Sequence, residues 1–101
     1  MRSAAILSVD CPARTKLHTV TSIPLQYELN QKCGGFGSLK EMKKGRVREI
    51  EIWAHYWDCH CTYETEKQTA VYDFSAEARG TYVLKFFQGK DKFLVYKIEV
   101  E

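Results

Sequence analysis

The 101-residue chain is poor in several things, and each absence narrows its class. No apolar run near the start is longer than Ala4-Ala5-Ile6-Leu7. That is too short for a transmembrane helix or for the core of a signal peptide. On the extracytoplasmic reading developed below, a leader would have been removed ahead of Arg2. No basic run exceeds Lys43-Lys44, and the formal net charge is only +2. Neither feature is the electrostatic footprint of a nucleic-acid binder. Proline occurs twice, and no stretch carries the 3.6-residue apolar period of an amphipathic helix. There is no CxxC pair of the kind zinc ribbons use. A glycine-rich stretch, Asn30 to Gly37, is followed by no Walker lysine-threonine and no helix. It therefore reads as a turn rather than a phosphate cradle.

What is present is apolar and aromatic: 45 % hydrophobic and 13 % aromatic residues. A chain of this length makes one domain, residues 1–101, burying roughly 65 % of its unfolded surface. The strongest local pattern is Gly80 to Val100. Tyr82, Leu84 and Phe86 alternate with Thr81, Val83, Lys85 and Phe87. Then Leu94, Tyr96, Ile98 and Val100 alternate with Phe93, Val95, Lys97 and Glu99. Period two in aromatic and β-branched residues predicts two strands. A three-residue loop, Gly89-Lys90-Asp91, would set Phe86 opposite Leu94, Leu84 opposite Tyr96 and Tyr82 opposite Ile98. All the large apolar residues then share one face.

Upstream the same period predicts strands over Ala4–Asp10, Thr19–Leu29, Phe36–Met42, Val47–Trp57 and Thr69–Ser75. Ile23, Leu25, Tyr27 and Leu29 point inward in the second, and Ile50, Ile52, Ala54 and Tyr56 in the fourth. Pro24 lacks a ladder donor and predicts an edge strand or a bulge. Phe36–Met42 is the weakest of these and also fits one helical turn. Seven strands in about 100 residues predict an all-β, mostly antiparallel sandwich of immunoglobulin-like type. A barrel is the other architecture compatible with the pattern.

Glu77-Ala78-Arg79-Gly80-Thr81-Tyr82 resembles the entry into strand F of immunoglobulin-like domains. The resemblance implies a tyrosine corner at Tyr82, its hydroxyl bonded to upstream backbone. Leu84 stands where the strand F cysteine would be, so the inter-sheet disulfide of that family is not implied. The whole chain also resembles small exported bacterial immunoglobulin-like domains associated with surface lipoproteins.

Four cysteines in a small β-rich chain point to an oxidising, extracytoplasmic compartment. Counting strand directions places Cys33 at the same end as Cys59 and Cys61, with Cys11 at the other. A bond from Cys33 to Cys59 or Cys61 would close a loop of about 27 residues, worth roughly 3–4 kcal/mol in the chain-entropy model. If Phe36–Met42 were not a strand, the directions would invert and Cys59 and Cys61 would meet Cys11. A second chemistry is a soft metal site for copper or zinc from Cys59, Cys61 and His55 or His60. A cysteine nucleophile is a third, but a cysteine next to a histidine in sequence points away from it in a strand, and no orienting group is identifiable. The chain is read as non-enzymatic and without a cofactor.

The last feature is a face. With Ile50, Ile52, Ala54 and Tyr56 inward, Trp53, His55 and Trp57 point outward, joined by Val83, Phe87, Phe93 and Val95 of the hairpin. Aromatic faces of this kind bind proteins or glycans. Alternatively, the face is covered, by a loop such as Gly34 to Met42 or by a second copy of the chain. The reading is a binding module using Trp53, His55, Trp57, Phe87 and Phe93.

Overall fold

The computed structural model describes residues 2–29, 33–57 and 65–101. The described residues form nine strands and no helix: β1 (Arg2–Ala4), β2 (Ile6–Val9), β3 (Arg14–Thr15), β4 (Thr21–Leu29), β5 (Gly34–Lys44), β6 (Val47–Tyr56), β7 (Glu66–Phe74), β8 (Gly80–Gly89) and β9 (Lys92–Val100). They make two sheets. One runs β2-β4-β7; the other runs β1-β6-β8-β9-β3, with β5 on the far edge of β6. The all-β, two-sheet expectation holds, with nine strands in place of seven.

Both extra strands come from the start of the chain. Ala4–Asp10 was expected as one strand, but it breaks at Ala5. β1 pairs with β6 (Arg2↔Ala54 to Ala4↔Ile52), whereas β2 pairs with β4 (Ile6↔Tyr27, Val9↔Leu25). Ala4 and Ile6 are both buried, so the chain crosses between sheets without giving up an apolar contact. The second extra strand, β3, is a two-residue parallel bridge onto the end of β9.

β4 is central, which corrects the edge alternative read from Pro24; the one register shift in its pairing lies in β2, opposite Tyr27 and Gln26, not at Pro24. The Pro24 carbonyl accepts from the Asp10 amide at 2.9 Å, just past the end of β2. A strand residue directs its N–H and C=O to the same side. The missing donor therefore points where the β2 ladder has stopped, and the pairing with β7 is undisturbed.

Gly34 to Gly37 was expected to be a turn, and Phe36–Met42 either a strand or a helical turn. Both belong to β5, an extended strand paired along β6. Gly34 is needed for close approach: a Cβ there would lie 2.7 Å from the Tyr56 ring. A register shift between Phe36 and Ser38 leaves Gly37 as the extra residue. It moves Phe36 onto the inner face, opposite Ala54, where its ring centroid is 6.3 Å from that of Tyr27. β5 lies beside β6 in the same sheet, so it does not fold over the outer aromatic face.

The β8–β9 register is as the alternation requires: Phe86↔Leu94, Leu84↔Tyr96, Tyr82↔Ile98. The turn differs in detail from a three-residue loop. Lys90 and Asp91 both have positive φ (49° and 63°), as a two-residue type I′ turn demands, with Gly89 at 97°. Gln88 is the extra residue of a bulge, which restores the apolar phase that a bare two-residue loop would break. Its side-chain amide donates to the Ile6 carbonyl at 3.1 Å.

The core lies between the sheets. Ile23, Leu25, Tyr27 and Leu29 face Ile50, Ile52, Leu84, Phe86 and Ile98, all at most 2 % exposed. Tyr72–Phe86, Phe74–Tyr82 and Phe86–Tyr96 meet edge-on at 5.6–6.1 Å, the geometry the ring quadrupole favours. The Tyr82 hydroxyl donates to the Ala78 carbonyl at 2.9 Å, the upstream backbone bond that the resemblance implies.

One pairing has no counterpart in the expected scheme. β6 and β8 are parallel, in register from Val47↔Val83 to Ile50↔Phe86. Beyond Ile50, the same edge of β6 passes to β1. β6 therefore has two successive partners on one side, and the strands diverge at Glu51.

Candidate functional site

The outer face of the larger sheet is built on β6. Val47, Glu49, Glu51, Trp53 and His55 alternate with the inward Arg48, Ile50, Ile52 and Ala54, and Trp57 continues the outer row. On β5 the register puts Met42 beside Glu49, Lys40 beside Glu51 and Ser38 beside Trp53. On β8, Lys85 lies beside Glu49, and Phe87 pairs with Phe93 of β9.

The expected aromatic residues are outward but fall into two groups. Trp53, His55 and Trp57 form a stripe towards the end of β6. Trp57 is 63 % exposed, and its ring sits 6.1 Å from His55 at an interplanar angle of 35°. The Trp57 amide donates to the Cys33 carbonyl at 3.2 Å, and its ring passes over Gly35, where a Cβ would be 3.4 Å away. Trp53 is half-buried. Lys40 Nζ lies 4.5 Å from its ring centroid, within cation–π reach, and its indole nitrogen is buried without a hydrogen-bond partner among the described residues.

Phe87 and Phe93 belong to the second group. Their centroids are 5.6 Å apart at 66°, and they line an open cleft of about 430 Å³ with Lys40, Met42, Glu49 and Glu51. Its floor is completed by Glu41 and Ile50. The cleft opens where β6 changes partner from β8 to β1. None of Trp53, His55 and Trp57 lines it; Lys40 is the residue common to both groups. Lys40, Met42, Glu49 and Glu51 were not anticipated. Their neighbourhood with Phe87 depends on the parallel β6–β8 pairing, which no short-range signal encodes.

The chain matches no family model, no curated protein and no solved structure. The reading of the site rests on its chemistry alone.

Of the sulfur residues, Cys11 is half-buried and has a free thiol, whose pKa is raised by burial first and by the Asp10 charge second. Cys33 is engaged. The other residues invoked for a disulfide or a metal site, Cys59, His60 and Cys61, lie outside the described residues. Among the described residues, no group of three His, Cys, Asp or Glu side chains could hold a metal. His55, proposed as a ligand, faces Trp57.

On the opposite side of β6, Arg48 is the one charged residue that is buried among those described, 7 % exposed. Its Nη1 donates to the Ser75 carbonyl at 2.6 Å and lies 3.8 Å from the Glu41 carboxylate. The guanidinium also stands over the Phe74 and Tyr82 rings, at 4.8 and 5.3 Å. The Tyr72 hydroxyl donates to the same Glu41 carboxylate. Burial, then this hydrogen bond, raises the Tyr72 pKa. These groups tie β5 and β6 to β7, and Glu41 is the one of them that also lines the cleft.

Proposed function

We propose that the protein is a non-catalytic binding module that recognises a protein or a glycan through the outer face of its larger sheet. The observation that carries this reading is the presence on one face of two groups of exposed apolar and aromatic side chains. Trp57 (63 %), Val95 (55 %), Met42 (53 %) and Phe93 (38 %) all lie there, and no described residue covers them. Side chains of this type are enriched at recognition surfaces because they bury large area at low conformational cost.

The fold is best read as immunoglobulin-like. The Tyr82–Ala78 bond supports this; the parallel β6–β8 pair departs from that family's antiparallel sheets. We further read the module as extracytoplasmic, with Cys33 bonded to Cys59 or Cys61. Support comes from the engaged state of Cys33 and from its carbonyl's bond to Trp57, two residues before Cys59.

The test uses the wild type and a Trp57→Ala variant, immobilised in parallel and exposed to a glycan array and to an extract of surface proteins. Trp57 is mostly solvent-exposed, so the variant should melt within about 0.5 kcal/mol of wild type. A ligand retained by wild type and lost by the variant supports the reading. Identical retention by the two, or no retention by either, defeats it.

A further inference from the structure

We infer that the cleft between β5, β6 and the β8–β9 hairpin binds a small organic cation, an alkylammonium group on a short apolar body. The inference rests on the reading of this outer face as a binding surface, and it names the ligand class for the part of that face which Trp57 does not reach. Two Phe rings meeting edge-on and the Met42 thioether supply an apolar wall. Glu49 and Glu51 stand one residue apart on the same side of β6, both half-buried in that wall.

Neither carboxylate has an ion pair or hydrogen bond among the described residues. The two cations that register brings near them form no ion pair with them. Lys40, opposite Glu51, turns its Nζ onto the Trp53 ring instead. Lys85, opposite Glu49, forms no ion pair with it. Half-buried carboxylates beside aromatic faces are the combination that attracts an ammonium: the charge is met by the carboxylates and the methyl or methylene shell by the rings. An anionic ligand would be repelled by the same pair. The cleft's volume of about 430 Å³ is within the range of small-molecule sites.

The experiment is an amide-resolved NMR titration of the intact protein with choline and, separately, with 3,3-dimethylbutan-1-ol, its uncharged isostere. Choline is expected to shift the amides of residues 49–51, 85–87 and 93, and to bind about tenfold more tightly than the isostere. It should weaken as salt is raised. A Glu49→Gln/Glu51→Gln variant, folded as judged by unshifted core amides, should bind both probes equally. Trp57→Ala should leave choline binding unchanged. Equal affinity for the two probes in wild type, choline affinity undiminished by the double substitution, or no shifts at the cleft would each overturn the inference. If the cleft fails while Trp57-dependent capture succeeds, only the cation site falls. If both fail, the reading of the whole face falls with it.

Discussion

Tyr72 shows how one side chain couples the sheets to pH. Its hydroxyl, on β7, donates to Glu41 on β5, and burial followed by that bond raises its pKa. The folded state thus holds the proton more tightly than the unfolded chain does. The associated stability is complete below the ordinary tyrosine value of about 10 and is lost as pH rises above it. Urea melts from pH 7 to pH 11 should show a shallower alkaline decline for Tyr72→Phe than for wild type. At neutral pH the same variant should lose about 1 kcal/mol, the net worth of one hydrogen bond. A second residue-scale prediction concerns Arg48. Arg48→Met keeps the length and apolar stem but leaves the Ser75 carbonyl without its 2.6 Å donor. A loss of about 1.5–3 kcal/mol is expected, the range for hydrogen bonds to charged groups, measured by chemical denaturation. The raised pKa of Cys11 implies slow chemistry, because the thiolate is the reactive species. Its alkylation by iodoacetamide at pH 7.5 should be slower in the folded protein than in urea.

At the scale of elements, the β8–β9 hairpin and the β5–β6 pair use one device in different places. Each inserts a residue, Gln88 or Gly37, so that apolar side chains on both flanks stay on the inner face. The alternation of Tyr82 to Phe86 and Leu94 to Val100 made the hairpin register legible, because only one phase buries every large residue. The β5 bulge was not legible: Phe36 and Leu39 are three apart, and simple alternation puts them on opposite faces. The positive φ at Lys90 and Asp91 marks a turn whose sequence is not ideal for it. Asp91→Gly, placing glycine at a left-handed position, should raise stability by up to about 1 kcal/mol, seen as a higher denaturation midpoint. Gly34→Ala should do the opposite. It sets a Cβ 2.7 Å from the Tyr56 ring, and forced overpacking costs about 1–3 kcal/mol.

For the molecule as a whole, the two sheets join along one side through the chain start, with β1 on β6 and β2 on β4, while the other side is held by Glu41, Arg48 and Tyr72. The edge strand β5 carries Lys40, Lys43 and Lys44, charges that discourage edge-to-edge association. The proposed bond from Cys33 belongs to this scale, since it would tie the entry of β5 to the segment after β6. Of the four cysteines, two should titrate as free thiols under denaturing, non-reducing conditions. Four would remove the disulfide and with it the main support for an extracytoplasmic setting.

The sequence by itself determined the all-β class of fold, the inward faces of β4, β6, β8 and β9, and the outward position of Trp53, His55 and Trp57. All of these follow from local alternation and short-range motifs, which need no knowledge of strand neighbours. Tertiary structure decided the rest: the crossing at Ala5, the central place of β4, the parallel β6–β8 pair, the burial of Arg48, and the cleft that sets Glu49 and Glu51 beside Phe87 and Phe93. Each depends on which distant strands lie side by side, and a period of two residues is the same for every choice of neighbour.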